Sequence, residues 1–201
     1  MQILDRTTAR IAVTKATMLD FDRVIHTVAL AFARDPVTRW FYPRPHDFLK
    51  YWPRLVEALG GAAFAHDAAW FADDYAAGAL WLPPGVESDF AAIDALLEES
   101  IDPAHADVLA DFFGQLDAYH PNDPYWHLMF LGVDPSRQGN GYGSALLEET
   151  LRQVDELHMV AALESTNIAN VPLYERFGFE VTGEIQAGDI PPMYPMIRRA
   201  R

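Results

Sequence analysis

The chain has 201 residues, 50% hydrophobic and 22% charged, which suits one globular domain with a substantial core and excludes disorder throughout. A formal net charge of −14 argues against a nucleic-acid partner, which needs a basic surface, and would attract a cationic substrate. With no cysteine, disulfides, thiolate metal sites and a cysteine nucleophile are all excluded.

The opening residues Met1-Gln2-Ile3-Leu4-Asp5-Arg6 lack the apolar centre of a secretion signal. No apolar run approaches the roughly 20 residues that cross a bilayer, so a cytoplasmic location with no membrane partner is expected. Residues 9–17 alternate weakly, as a first strand would. Phe21, Val24, Ile25, Val28, Ala29 and Phe32 recur at helical spacing and predict an amphipathic helix ending near Asp35-Pro36, because a residue before proline avoids the helical region. Residues 48–59 follow as a helix stopped by Gly60-Gly61. Residues 68–72 and 77–82 read as two strands joined through Asp73-Asp74-Tyr75, the second ended by Pro83-Pro84-Gly85. Two helices follow over residues 90–98 and 105–118, the latter opened by Asp102-Pro103, and are expected on one side of a substrate pocket. Trp40, Phe41, Tyr42, Trp52 and Trp81 are either core or the lining of that pocket.

The second half is more regular. A strand over residues 126–133 leads through a glycine loop into a helix reaching about residue 157, then a short buried strand over 160–163. Residues 170–177 form a short helix with Pro172 in its first turn and Gly178 just past its end. Strands over 179–185 and 193–197 complete an α/β (α+β) domain with a mixed sheet, a single unit over residues 1–201.

The glycine loop carries the functional information. Gly139, Gly141 and Gly143 leave backbone N–H groups unshielded, and the next helix points its positive end at the same space, so the loop is an anion cradle suited to a phosphate. A P-loop would need a lysine that is absent here. A dinucleotide fingerprint is approached by Gly139-x-Gly141-x-x-Ser144, with Glu164 near the spacing of the required acid, so a dinucleotide-dependent oxidoreductase stays as an alternative.

Gln138-Gly139-Asn140-Gly141-Tyr142-Gly143 resembles the Arg/Gln-x-x-Gly-x-Gly/Ala signature of the GCN5-related N-acetyltransferase (GNAT) superfamily. Leu131-Gly132-Val133-Asp134-Pro135 before it resembles that family's fourth strand and loop. Asn170-Val171-Pro172-Leu173-Tyr174-Glu175-Arg176-Phe177-Gly178-Phe179 after it resembles the second signature, and the pattern is most similar to puromycin N-acetyltransferase-like members. The resemblance implies a mixed, mostly antiparallel sheet splayed between its fourth and fifth strands and flanked by helices. It also implies transfer of an acetyl group from acetyl-CoA to a primary amine of a small molecule, or of a protein, by direct attack in a ternary complex. No metal is implied, and the protein would be a monomer or homodimer.

The same resemblance assigns roles. Backbone N–H groups from Gln138 through Ser144, passing Gly139, Asn140, Gly141, Tyr142 and Gly143, would hold the cofactor pyrophosphate, with Arg137 adding charge. The main chain of Leu131 and Val133 would pair with the pantetheine arm, and an N–H near Leu131 would face the thioester carbonyl. Tyr174 would be the general acid, and Asn170 would bond the cofactor or cap its own helix. Glu164, His127 or ordered water would be the base. A domain that binds acyl-CoA without catalysis is the other alternative.

Overall fold

A computed structural model describes residues 10–201, so the secretion-signal reading of residues 1–6 lies outside the described residues. The strands are β1 (Val13–Lys15), β2 (Ala69–Ala72), β3 (Ala77–Leu82), β4 (Tyr125–Val133), β5 (Val160–Ser165), β6 (Glu180–Val181) and β7 (Tyr194–Arg198). They form one sheet in the order β1-β2-β3-β4-β5-β7-β6, antiparallel everywhere except between β4 and β5. This is the mixed, mostly antiparallel sheet that was expected. It is not the doubly wound parallel sheet of a dinucleotide-binding fold.

The helices are α1 (Phe21–Ala31), α2 (Pro36–Phe41), α3 (Pro45–Gly60), α4 (Phe90–Ser100), α5 (Ala106–Tyr119), α6 (Tyr142–Glu156) and α7 (Val171–Arg176). Helix α2 was not anticipated. The proline that stops α1 also starts α2: Pro36 takes the first helical position, where no N–H is needed, and the Asp35 carboxylate accepts from the Thr38 N–H at 2.9 Å. The strand expected over residues 179–185 shrinks to Glu180–Val181, with one further bridge between Ile185 and Met193. Between those two residues the chain leaves the sheet, and Pro191 and Pro192 have no N–H to offer a ladder.

Helix α1 lies directly on the sheet. A Cβ added to Gly132 would sit 2.9 Å from the Ala31 Cβ and 3.0 Å from the Val28 Cα, so only glycine permits this approach. Along β4 a bulge interrupts the alternation: Phe130 and Gly132 pair with Leu80 and Gly78 on the α1 side, whereas Leu128 pairs with Trp81, so Leu128 and Trp126 are buried on the opposite face. Leu131 and Val133 point away from α1, toward the start of α6, where a Cβ at Gly143 would stand 3.8 Å from both. The sheet is thus covered by α1 and α3 on one face and α6 on the other.

A second, smaller apolar cluster of Val37, Leu109, Phe112, Ile185, Ile190 and Met193 joins α2, α5 and residues 182–193. Gln115 fastens it from the surface: its Nε2 donates to the Gln186 carbonyl at 2.9 Å and its Oε1 accepts from the Gln186 N–H at 3.2 Å. Trp40 Nε1 donates to Asp189 at 3.0 Å in the same region. No described helix is long and apolar enough to cross a membrane.

Gly132→Val should cost roughly 1–3 kcal/mol through overpacking against α1, read as a lower urea midpoint at unchanged m. An unchanged midpoint would mean that α1 is not seated on β4 as described.

Candidate active site

Asp134 opens the glycine loop. Its carboxylate accepts from the Ser136 N–H and hydroxyl, both at 2.7 Å, and those bonds hold it below the usual carboxylate range. Asn140 braces the loop from within, donating to the Arg137 carbonyl at 2.9 Å and the Gln138 carbonyl at 3.2 Å. Gly139 (φ 77°) and Gly141 (φ 90°) take left-handed conformations costly for other residues, and nothing lies within 4 Å of where a Gly139 Cβ would be. Tyr142, Gly143 and Ser144 then begin α6 with N–H groups that have no partner inside the helix. Tyr142 anchors this end by donating its hydroxyl to Asp73 at 2.9 Å, and Asp73 accepts from the Ala12 N–H at 2.9 Å.

These groups border a groove of about 510 Å³. Among the expected cofactor-binding residues, Leu131, Val133, Gln138, Gly139, Gly141, Tyr142, Gly143, Ser144 and Asn170 line it; Arg137 and Asn140 do not. The cations on its walls are instead Arg34 and Arg176, which sequence reasoning missed because neither lies in the loop. Asn170 precedes α7 without a side-chain capping bond, while Asn167 caps the short turn before it.

Strands β4 and β5 create the groove by parting. They pair at Tyr125–Val160, Trp126–Ala161 and His127–Ala162 and no further. On the opposite edge of β4 the Asp134 N–H donates to the Ala76 carbonyl, so Gly132 and Phe130 are the residues bonded to β3. Leu131 and Val133, opposite Ala79 and Ala77, therefore turn their backbone groups into the opening. The Val133 carbonyl accepts from Gln138 Nε2 at 3.3 Å.

A second cavity, of about 170 Å³, adjoins the groove. Its wall holds Phe41 and Trp52 from the aromatic set, whereas Tyr42 and Trp81 are buried core. Phe32, Leu131, Asn170 and Tyr174 line both spaces. Phe32, Trp52 and Phe130 pack edge-on or tilted, with centroids 5.5–6.0 Å apart, and fix the partition between the two spaces.

Tyr174 is 8% exposed. Burial, aided by the negative charge of Asp35, pushes its hydroxyl well above the usual phenol value. Asp35 is itself buried beside it, bonded to the Thr166 hydroxyl and the Thr38 N–H, with burial holding its carboxyl above the ordinary range.

Glu164 has a side chain only 12% exposed. Its Oε2 lies 2.7 Å from His127 Nε2, and its Oε1 lies 3.6 Å from His120 Nε2, a buried atom without a hydrogen bond. Burial would raise the Glu164 carboxyl, but the two imidazoles outweigh it and bring the pKa to about 2. His120 was not foreseen, because it reaches the cluster from the loop after α5. The three side chains form a two-histidine, one-carboxylate set with ligand atoms within 4.8 Å of one another. Two ligands on a tetrahedral zinc stand about 3.3 Å apart. The 2.7 Å contact is therefore a hydrogen bond in this arrangement.

The sequence model of the Acetyltransferase (GNAT) family matches residues 32–179, which span both the glycine loop and the block ending in Tyr174. The chain belongs to the GNAT acetyltransferase family. An uncharacterized N-acetyltransferase of Schizosaccharomyces pombe is 26% identical to this acetyltransferase over 179 residues, covering 80% of this chain and 70% of that one. A peptidyl-lysine N-acetyltransferase of Escherichia coli is 26% identical over 123 residues, covering 50% and 82%. A solved structure from Corynebacterium glutamicum, described as histone acetyltransferase HPA2 and related acetyltransferase, superimposes with a TM-score of 0.71 at 25% identity. It covers 95% of this chain and 97% of that one.

The histidine cluster gives this acetyltransferase a pH-dependent stability. Glu164 raises His120 above its ordinary 6.5, against the opposing effect of burial. The folded state then binds the proton more tightly than the unfolded chain, so the stabilisation is complete below that ordinary value and is lost as pH rises through the raised one. Melting temperature should fall with pH from neutrality upward, and His120→Gln should flatten the fall. Parallel curves for the two proteins would rule out the coupling.

Proposed function

We propose that this protein transfers an acetyl group from acetyl-CoA to a primary amine by direct attack in a ternary complex. One observation carries the reading. A groove floored by a glycine loop and a helix N-terminus meets an apolar cavity at four shared residues, Phe32, Leu131, Asn170 and Tyr174. Two substrates bound in these two spaces would touch there.

The groove fits the donor. Gly139 and Gly141 leave room for a pyrophosphate against bare backbone, and the first N–H groups of α6 face the same anion, with Arg34 and Arg176 adding charge. Bound acetyl-CoA supplies an acetyl group activated as a thioester. Leu131 and Val133 hold the donor arm with backbone groups turned into the strand opening, and the Leu131 N–H donates to the acetyl carbonyl as charge grows there.

Glu164 receives the incoming ammonium as its counter-ion. Held low by imidazoles that attract it as cations, Glu164 cannot keep the amine proton at neutral pH, so the proton passes through ordered water or to His127 or His120 when that ring is neutral. Side-chain exposure of 27% at His120 gives that proton a route to solvent. A C–N bond forms, the C–S bond breaks, and Tyr174 gives its hydroxyl proton to the departing sulfur. The raised phenol pKa keeps Tyr174 protonated until that moment. A merely binding domain would have no use for a buried phenol where donor and acceptor meet.

The relatives do not share one acceptor; the Escherichia coli protein is named for peptidyl-lysine. The likeness to puromycin N-acetyltransferase rests on segments that hold the donor, so it carries no acceptor either. A small-molecule amine fits the modest cavity best, with the protein working in the cytoplasm as a monomer or homodimer.

Tyr174→Phe should lower kcat by about 10²–10⁴ while changing acetyl-CoA affinity by less than ~2-fold. Full turnover in the variant would remove Tyr174 from the chemistry. In thermal shift, acetyl-CoA and CoA should stabilise the protein and NAD should not; stabilisation by NAD alone would overturn the donor assignment.

A further inference from the structure

The acceptor cavity is amphipathic, and its two ends differ in kind. Its polar lining residues are Thr38, Glu164, Ser165, Thr166, Asn170 and Tyr174. Five of them follow one another along the end of β5 and into α7. Thr38 joins them through Asp35, which bonds both Thr38 and Thr166. This end holds the two residues, Asn170 and Tyr174, that also face the donor groove. Elsewhere the wall is aliphatic and aromatic, from α2, α3, α4 and α5, with Phe41, Trp52, Leu97, Phe112 and Leu116 among its residues. Glu164 is the sole charged side chain lining the cavity.

We infer that the acceptor is a primary amine on a predominantly apolar body, with its ammonium at Glu164 and its body in the cavity. The inference rests on the acetyltransferase reading above and narrows it to a substrate class. Size follows from volume: an apolar cavity of about 150 Å³ takes a benzene ring, so 170 Å³ takes an apolar body of roughly six to eight non-hydrogen atoms. An amine carrying such a body would fill it. A protein lysine would have to bring peptide groups against the apolar wall to do the same. A polyamine or guanidino-amine would bring a second cation against Trp52 and Phe112, where no second carboxylate waits and cation–π attraction repays only part of its desolvation. An amino sugar would bury more hydroxyls there than Trp52 Nε1, a buried donor without a partner, could meet.

The test is a series of n-alkylamines from butylamine to dodecylamine at saturating acetyl-CoA, read as CoA thiol release. Phenethylamine, tryptamine, agmatine, spermidine, glucosamine and a lysyl peptide complete the panel. Each added CH₂ should raise kcat/KM about threefold to fourfold until the cavity is full, after which the gain should stop. Phenethylamine and tryptamine should exceed agmatine, spermidine, glucosamine and the peptide by at least ~100-fold. Leu116→Trp, which fills the cavity from its α5 wall, should shorten the optimal chain by several carbons and leave stabilisation by acetyl-CoA unchanged. Thiol release that favours the polycations, the sugar or the peptide, or that ignores chain length, overturns the inference while keeping acetyl transfer. No release with any amine of the panel overturns the inference, and the same result with no stabilisation by acetyl-CoA overturns the acetyltransferase reading as well.

Discussion

Strands β4 and β5 run side by side for three residue pairs and then separate, and the rest of the site depends on that separation. Beyond His127 and Ala162, the N–H and C=O groups of Leu131 and the N–H of Val133 face a gap, while the Val133 carbonyl is met by Gln138. A buried backbone group left without a partner costs about 1–3 kcal/mol, so the gap is stable only when water or a bound chain fills it. An extended, amide-bearing arm suits such a gap because it offers the same alternation of donors and acceptors as a strand. The last paired residues also place the chemistry. Glu164 lies two positions past Ala162 on the same face as His127, so the carboxylate–imidazole contact sits where the strands begin to part.

The second cavity has a separate origin. The molecule packs a main core around the sheet and a smaller one between α2, α5 and residues 182–193. Val37, Phe112 and Met193 belong to the smaller cluster, and Trp52, Leu55 and Leu163 to the main one; all six border the cavity. The cavity is thus the seam where two apolar clusters do not close on each other. Changes to α5 or to residues 182–193 can therefore reshape this space without disturbing the glycine loop, which is built from the opposite side of β4.

What could be read from the chain was mostly what is local. Gly139, Gly141 and Gly178 stand at positive φ as their contexts required, and Pro172 opens α7 as placed. The order of strands and helices followed from periodicity. Features built by distant partners stayed hidden. Asp35 meets Thr166 across 131 positions, and it reads in sequence only as the end of a helix. His120 joins Glu164 from a loop with no motif of its own. Arg34 and Arg176 reach the groove from the end of α1 and from α7, far in sequence from the glycine loop that holds Arg137. Helix α2 is hard to read from sequence because Pro36 both ends one helix and starts the next.

Helix α6 is pinned at both ends. Tyr142 holds its first turn to Asp73, and Arg198, buried and forked onto Asp155 at 2.6 and 2.8 Å, holds its last turn to β7. The helix whose amides face the groove cannot slide along its axis or swing away from the sheet. The groove wall is thus held through one helix at its two ends, and the wall of the second cavity is fastened by the glutamine pair and by Trp40 at the surface. Substitutions at Tyr142 and Arg198, far apart in sequence, would therefore loosen the same groove wall from its two ends.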